Sequence, residues 1–503
     1  MRAVAWIATA CVACGSPAKV DVAAPKPPPA AACTVNPATT RVLRALAHPV
    51  VVEAYVSRDT PAFAAFTKRL EAVLRAFGDA SGGLVVTRTL ETRTPADAAR
   101  AEKLGIVAYD DAGKKRYSGL VITYGVERDS IPLLAPDTDA GLEFWIANKI
   151  RELYEKSEGV HHRIGLLVGQ DETSLSEPNL VPFKMGKPSM REIVARNFPE
   201  YELVDVDLHG GDTPIDAALE GLVVTQPARD FTDAELRRID DWVMRGRALV
   251  VFAGAVNVAP NDPKMAATLS THRLDRLLDD YGIAVNRDVV LDYGSSYTQS
   301  MVTAQGQATV RFPWVLQIDD DDRFTGLTRR IDTEFAPFFR LRQMFAPCTS
   351  SLTLHPERQP GASMKVVARS TPHAVHETHD LELGLGPWRP HGTWAQFDVA
   401  AYAEGRLRSA FGAAVVPPGS TARVFVFSSA QLAANPFARA GNPPAGREEG
   451  DGVMLELAAP YADIQREAAP LLPAILVVRN VLDTIADGPA LSAVVPLHAC
   501  AGR

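Results

Sequence analysis

Four apolar runs separated by helix-length segments restrict the fold of this chain more than any other feature of its sequence. They are HRIGLLVGQ (162–170), YELVDVDL (201–208), GLVVTQPA (221–228) and ALVVFAG (248–254). Three of them, with little polar alternation, have the pattern of strands covered on both faces, and YELVDVDL reads as the next strand among them. The segments between them carry helix-start signals. Ser189 with Glu192, and Thr232 with Glu235, have the spacing of capping boxes, and Ile239, Trp242 and Val243 supply an apolar stripe that stops at Gly246. Strands alternating with helices imply a largely parallel sheet with helices on both sides. Ligands of such sheets sit beyond the carboxyl ends of the strands, at a switch point. That places a ligand or partner rim at Gly169, Thr225, Gln226, Pro227 and Gly254. Ser428, at the end of the later run ARVFVFSS, joins them.

An earlier unit runs over 41–157. PVVVEAYVS (49–57) and GLVVTRTL (83–90) read as strands, and TPAFAAFTKRLEAVLRAFG (60–78) and TPADAARAEKLG (94–105) as helices opened by Thr-Pro. GIVAYDDAGKKRYSGLVITYG (105–125) reads as a β-hairpin, and a closing amphipathic helix follows. The order β-α-β-α-β-β-α is that of a thioredoxin-like domain. Its redox loop reads Ser57-Arg58-Asp59-Thr60, without cysteine, so that fold is expected here without redox activity.

The 503 residues suffice for two to three domains, and the net charge of −8 disfavours nucleic acid as a partner. MRAVAWIATACVACGS has the composition of a signal sequence, residues 1–14. Cys14 is the expected lipidation site, with Cys11 the alternative. Residues 15–40 are a Pro/Ala-rich linker that cannot build a core. Cys33, Cys348 and Cys500 cannot all pair with one another, and the sequence does not choose between them. The α/β unit is expected over 160–297 and 420–500, closed by a helix near 473–491. The irregular stretch 298–419 is expected to be an insertion or subdomain. LLPAILVVRNVL (471–482) is too short to span a bilayer and contains Arg479.

Reactive motifs are sparse. Where related α/β enzymes carry a nucleophile, this chain has Ala253-Gly254-Ala255, and Ser428-Ser429 lack the glycines of a nucleophile elbow. His373, His376 and His379 would share a face of a helix and are weak metal candidates. The acid run Asp319–Asp322 lacks the alternation of a calcium loop. Gly210-Gly211 belongs to no phosphate-binding fingerprint. No catalytic residue and no cofactor are expected. The alternative is a diverged amidotransferase-like hydrolase using His209, which follows Asp207 at a strand end.

Several stretches, in order, resemble the GldG-type family of ABC-transport auxiliary proteins: YSGLVITYGVERDSIPLL, GLEFWIANKIREL, HRIGLLVGQDE, LVVTQPARDFTDAELRRIDDWVMRGRALVVF, LDDYGIAVNRDVVLD, EGRLRSAF and ARVFVFSSAQL with NVLDTIADGPAL. The resemblance implies a non-catalytic component on the periplasmic side of the bacterial envelope, working with an ABC permease and ATPase. It implies a central domain similar to class I glutamine-amidotransferase-like, flavodoxin-like and GIFT domains, whose relatives generally lack the nucleophile. Members commonly carry terminal transmembrane helices. Here a lipid anchor is expected to serve instead, and the alternative is a free-standing lipoprotein that binds a saccharide or a protein.

Overall fold

The computed structural model describes residues 34–430, except 112, 135–141, 177–188, 259–261, 263, 304–305, 320–329, 339–340, 342 and 385–387, and residues 471–486. The protein is mixed α/β with several sheets.

The first unit comprises α1 (Pro37–Ala45), β1 (Val50–Val56), α2 (Pro61–Ala80), β2 (Val85–Glu91), α3 (Pro95–Lys103), β3 (Ala108–Asp111), β4 (Lys114–Tyr124), β5 (Glu127–Ile131) and α4 (Leu142–Glu158). β1 pairs in parallel with β2 and antiparallel with β4. β4 is long enough to hold β3 along its first half and β5 along its second. Thr60 accepts the Phe63 amide at the start of α2, and Thr94 forms a full capping box with Asp97 on α3. Val52, Phe66, Leu70, Phe77, Ile122, Ile146 and Ile150 fill the core between helices and sheet. β5, Glu-Arg-Asp-Ser-Ile, carries no apolar run and is not legible as a strand. It pairs because a turn at Gly125 (φ 58°) returns the chain along β4.

The second unit begins with β6 (His162–Val168), α5 (Met190–Asn197), β7 (Tyr201–Asp207), β8 (Gly221–Thr225), α6 (Asp233–Val243) and β9 (Ala248–Phe252). Both expected capping boxes form, at Ser189/Glu192 and Thr232/Glu235. There follow β10 (Val256–Val258), β11 (Ala266–Leu269), α7 (Asp275–Leu278), β12 (Ile283–Val285), β13 (Val289–Asp292), β14 (Ser296–Thr303), β15 (Gly306–Asp319) and β16 (Gln343–Pro347). The remaining elements are β17 (Leu352–Leu354), β18 (Ala362–Arg369), β19 (Ala374–Glu377), β20 (Leu381–Glu382), β21 (Asp398–Gly405), β22 (Ala422–Phe427) and α8 (Leu471–Ala486).

The large sheet has the order β12-β17-β21-β22-β9-β8-β6-β7, with β18 also on β21. Five neighbours, β7, β6, β8, β9 and β22, run parallel as the apolar runs imply. The other half is antiparallel and draws β17, β18 and β21 from within 298–419. α5 and α8 cover one face, packing on Ile164, Val223, Val250 and Phe425. α6 and α7 cover the other, over Leu222, Val224, Leu249 and Val426. Trp242 of α6 is fully buried and its indole donates to the Ala248 carbonyl (3.1 Å), pinning helix to sheet. α7 is a single turn, because His272 and Arg273 hold φ of 50° and 70° and delay its start.

A buried ionic cluster joins the two units. Arg151 of α4 donates to Asp483 of α8 (2.6 Å), Tyr201 of β7 reaches the same carboxylate, and Arg479 pairs with Glu152. His162 sits between Glu155 (3.1 Å) and Glu220 (2.9 Å). Burial opposes a charged ring there, but the two carboxylates outweigh it and push His162 up to about 10.

Candidate functional site

The chain leaves β6 to form β7 on one side and returns to form β8 on the other, so the switch point lies between β6 and β8. The loops that leave these strands are stitched together. Thr173 N donates to the Gln226 carbonyl (2.7 Å), and the amides of Ala228 and Arg229 both donate to the Gln170 carbonyl (2.9 and 3.1 Å). Thr225 Oγ1 donates to the Thr173 carbonyl (2.8 Å). Arg229 reaches the Gly169 carbonyl (2.6 Å) and the Asp171 carboxylate (2.8 Å).

The next strand ends are equally closed. Gln226 accepts from the Gly254 amide (2.9 Å) and donates to Asn257 (3.0 Å). Ser350 accepts from the Ala255 amide (2.8 Å) and donates to the Asp288 carbonyl (2.9 Å). Ser428 Oγ lies between the Ser350 (2.6 Å) and Val399 (2.8 Å) carbonyls. A Cβ at Gly254 would stand 2.4 Å from the Ser428 carbonyl oxygen, so no residue with a side chain fits there without movement. Buried polar groups with partners of this kind rigidify a site. Glu172, on the loop after β6, keeps one buried carboxylate oxygen without a partner, and burial raises its pKa.

These contacts correct the rim read from sequence. Thr225, Gln226, Pro227, Gly254 and Ser428 stand at the strand ends as expected, but all five are buried. Of the six, Gly169 alone reaches the surface, and its φ of 127° is a backbone conformation that favours glycine. The accessible rim is formed by its neighbours Gln170, Asp171, Ala228 and Arg229. The capping-box spacing marks Glu235 only as a helix cap. It is buried and also accepts from Gln170 Nε2 (2.9 Å) and the Gly210 amide (3.1 Å), so one carboxylate ties the loops after β6, β7 and β8. Its distant partners leave no local signal.

His209 follows β7 with φ 47° and a mostly exposed ring. Its Nδ1 stands 3.1 Å from the Asp207 carbonyl and 3.3 Å from Thr213 Oγ1. Cys348 is a buried free thiol, and burial pushes its pKa well above the ordinary value, which disfavours the thiolate. Cys11, Cys14, Cys33 and Cys500 lie outside the described residues, as do Asp320–Asp322 of the acid run. Asp319 pairs with Arg330.

The histidine triplet lies on and beside a strand, not a helix. β19 alternates, so His376 points to one face, where it pairs with buried Asp288 (2.8 Å) and packs on Phe397. His373 packs near Trp394 (6.0 Å), and His379 lies 3.5 Å from Glu377. The three do not converge, and among the described residues no group of three His, Cys, Asp or Glu could hold a metal ion. No helix among the described residues is long and apolar enough to cross a membrane.

In the first unit the loop Ser57–Thr60 carries a side-chain ion-pair cluster. Asp59 pairs with Lys114 (2.6 Å) and Arg116 (3.0 Å), and their hydrogen bonds, partly opposed by burial, hold its carboxyl below the usual range.

Residues 161–451 match the family described as "ABC-type uncharacterized transport system". No curated protein matches the chain. Among solved structures it is similar to "mmIFT52 N-terminal domain", with 11% identity over 53% of this chain and 86% of that one, at a TM-score of 0.30.

Proposed function

The chain belongs to the ABC-type uncharacterized transport system family, matched over 161–451 of its 503 residues, and from that membership we propose that it is a non-catalytic auxiliary subunit of an ABC transporter. It works by contact, at the periplasmic face of the envelope, beside a permease and an ATPase. The observation that carries the non-catalytic part is the closed switch point. Where an α/β enzyme keeps its reacting groups, Gln226, Ser350, Ser428 and the Gly254 and Ala255 amides bond to one another or to neighbouring backbone.

We read the first unit as thioredoxin-like, supported by the order β2-β1-β4 with β5 beyond, in which only β1 and β2 are parallel. The second unit is GIFT-like, supported by its five parallel strands and the small residues after β9. The partner surface is the accessible rim at Gln170, Asp171, Ala228 and Arg229. Cys14, or Cys11, carries the lipid that holds the subunit to the membrane.

Affinity purification of the full chain from detergent-solubilised membranes tests this reading. The expected result is co-purification of a permease and an ATPase, reduced by Arg229→Glu. Recovery of neither subunit overturns it, and so does recovery unchanged by the charge reversal.

A further inference from the structure

β13 and β19 form an antiparallel pair whose two faces differ. Val290 turns toward the core of the large sheet, while Val289, Leu291 and Val375 face a separate apolar cluster that includes Trp314. By strand alternation Glu377 shares the Val375 face and Tyr293 the Leu291 face. The segment Trp388-Arg389-Pro390-His391-Gly392-Thr393-Trp394 lies over it. Trp388 packs on the apolar cluster and His391 Nδ1 stands 2.7 Å from buried Glu377. Trp394 meets the Tyr293 ring edge-on at 5.9 Å, and Ala395 then bridges to Ala374.

Polar atoms under this strap lack partners. Tyr293 Oη and Trp388 Nε1 are both buried and make no hydrogen bond. Burial and the nearby Glu377 charge push the Tyr293 phenol up to about 12, so it stays a donor. Trp394, by contrast, is 46% exposed.

We propose that Tyr293, Glu377, Trp388 and Trp394 form a binding site for a neutral saccharide. Each group has a counterpart in a pyranose. The indole N–H of Trp388 and the hydroxyl of Tyr293 need acceptors, the Glu377 carboxylate beside His391 can accept from a further hydroxyl, and sugar hydroxyls serve both. The exposed Trp394 ring offers an apolar surface for the C–H face of the sugar. A quaternary ammonium suits the rings but has no acceptor for the two buried donors. An anion meets the Glu377 charge. The site is separate from the strand-end rim and does not rest on the transport reading.

The purified full chain, titrated with maltotriose, cellotriose and chitotriose by tryptophan fluorescence and calorimetry, tests the site. At least one probe is expected to bind saturably with Kd below about 1 mM. Trp394→Ala should weaken that binding about tenfold and Tyr293→Phe about fivefold, while Val126→Ser, on a distant turn, leaves it unchanged. Tyr293→Phe removes a single atom and keeps the test decisive if Trp394→Ala does not fold. Absence of saturable binding to all three probes overturns the assignment, as does binding that Tyr293→Phe leaves intact.

Discussion

The strand-end rim of the large sheet and the outer face of β13–β19 are both rich in buried polar groups, and they treat those groups in opposite ways. At the rim, Gln226, Ser350 and Ser428 satisfy one another, the amides of Gly254 and Ala255, and nearby carbonyls. On β13–β19, Tyr293 Oη and Trp388 Nε1 are withdrawn from water and left without partners. Polar groups bonded within the chain hold the fold, whereas buried donors left open call for a partner the chain does not supply. The contrast is one of degree, since Glu172 on the loop after β6 also keeps one buried oxygen open.

Substitutions can break this contrast. The largest effect is expected at the rim from Gly254→Ser, whose Cβ would stand 2.4 Å from the Ser428 carbonyl oxygen. Overpacking of this kind should cost about 3 kcal/mol in urea unfolding. Gln226→Leu, which strips the Gly254 amide of its acceptor, should cost about 2 kcal/mol by the same measurement. If either is neutral, the rim is looser than its hydrogen bonds indicate.

The ionic junction between the two units extends the contrast to charge. His162→Gln removes a charge-assisted link to Glu155 and Glu220 and should cost about 1.5 kcal/mol at pH 6. Because the folded-state pKa is raised, this contribution is complete below the ordinary histidine range. It is lost as pH rises through about 10. Denaturation of wild type and variant across that window should converge at the alkaline end. A constant difference would mean that His162 acts through packing alone.

The smallest effect sharpens the other side. Tyr293→Phe removes a hydroxyl that bonds to nothing and should shift stability by less than about 0.5 kcal/mol. A loss near that of Gln226→Leu would reveal a partner for the hydroxyl and remove the distinction.

The parallel half of the sheet was legible because β8 and β9 are unbroken apolar runs and β6 nearly so, and because Ser189/Glu192 and Thr232/Glu235 mark the helix starts within three residues. The antiparallel half was not. β17 is only Leu-Thr-Leu, and β18 alternates exposed and half-buried residues before reaching the core, so neither has the signature of a covered strand. The positions of Gln226, Gly254 and Ser428 at strand ends could be read, but their burial could not. It depends on Ser350, 95 residues away from Ala255 in sequence. The His373-His376-His379 spacing suggested a shared face only if the segment were helical. Strand alternation instead turns His376 away from Glu377 and toward Asp288. The signal for the second face was present in the paired tryptophans and histidine of Trp388–Trp394. Its target, Tyr293, lies roughly a hundred residues earlier and is brought close only by pairing of β13 with β19.

Contact in place of chemistry at the strand-end rim is tested most directly by a photocrosslinking amino acid at Ala228, which is exposed beside Arg229, in cells carrying the intact transporter. The expected product is a covalent adduct between this chain and a permease or ATPase subunit, absent when the same group replaces Val126 on the far turn of the first unit. Adducts formed equally from both positions, or from Val126 alone, would contradict a partner surface at the closed switch point.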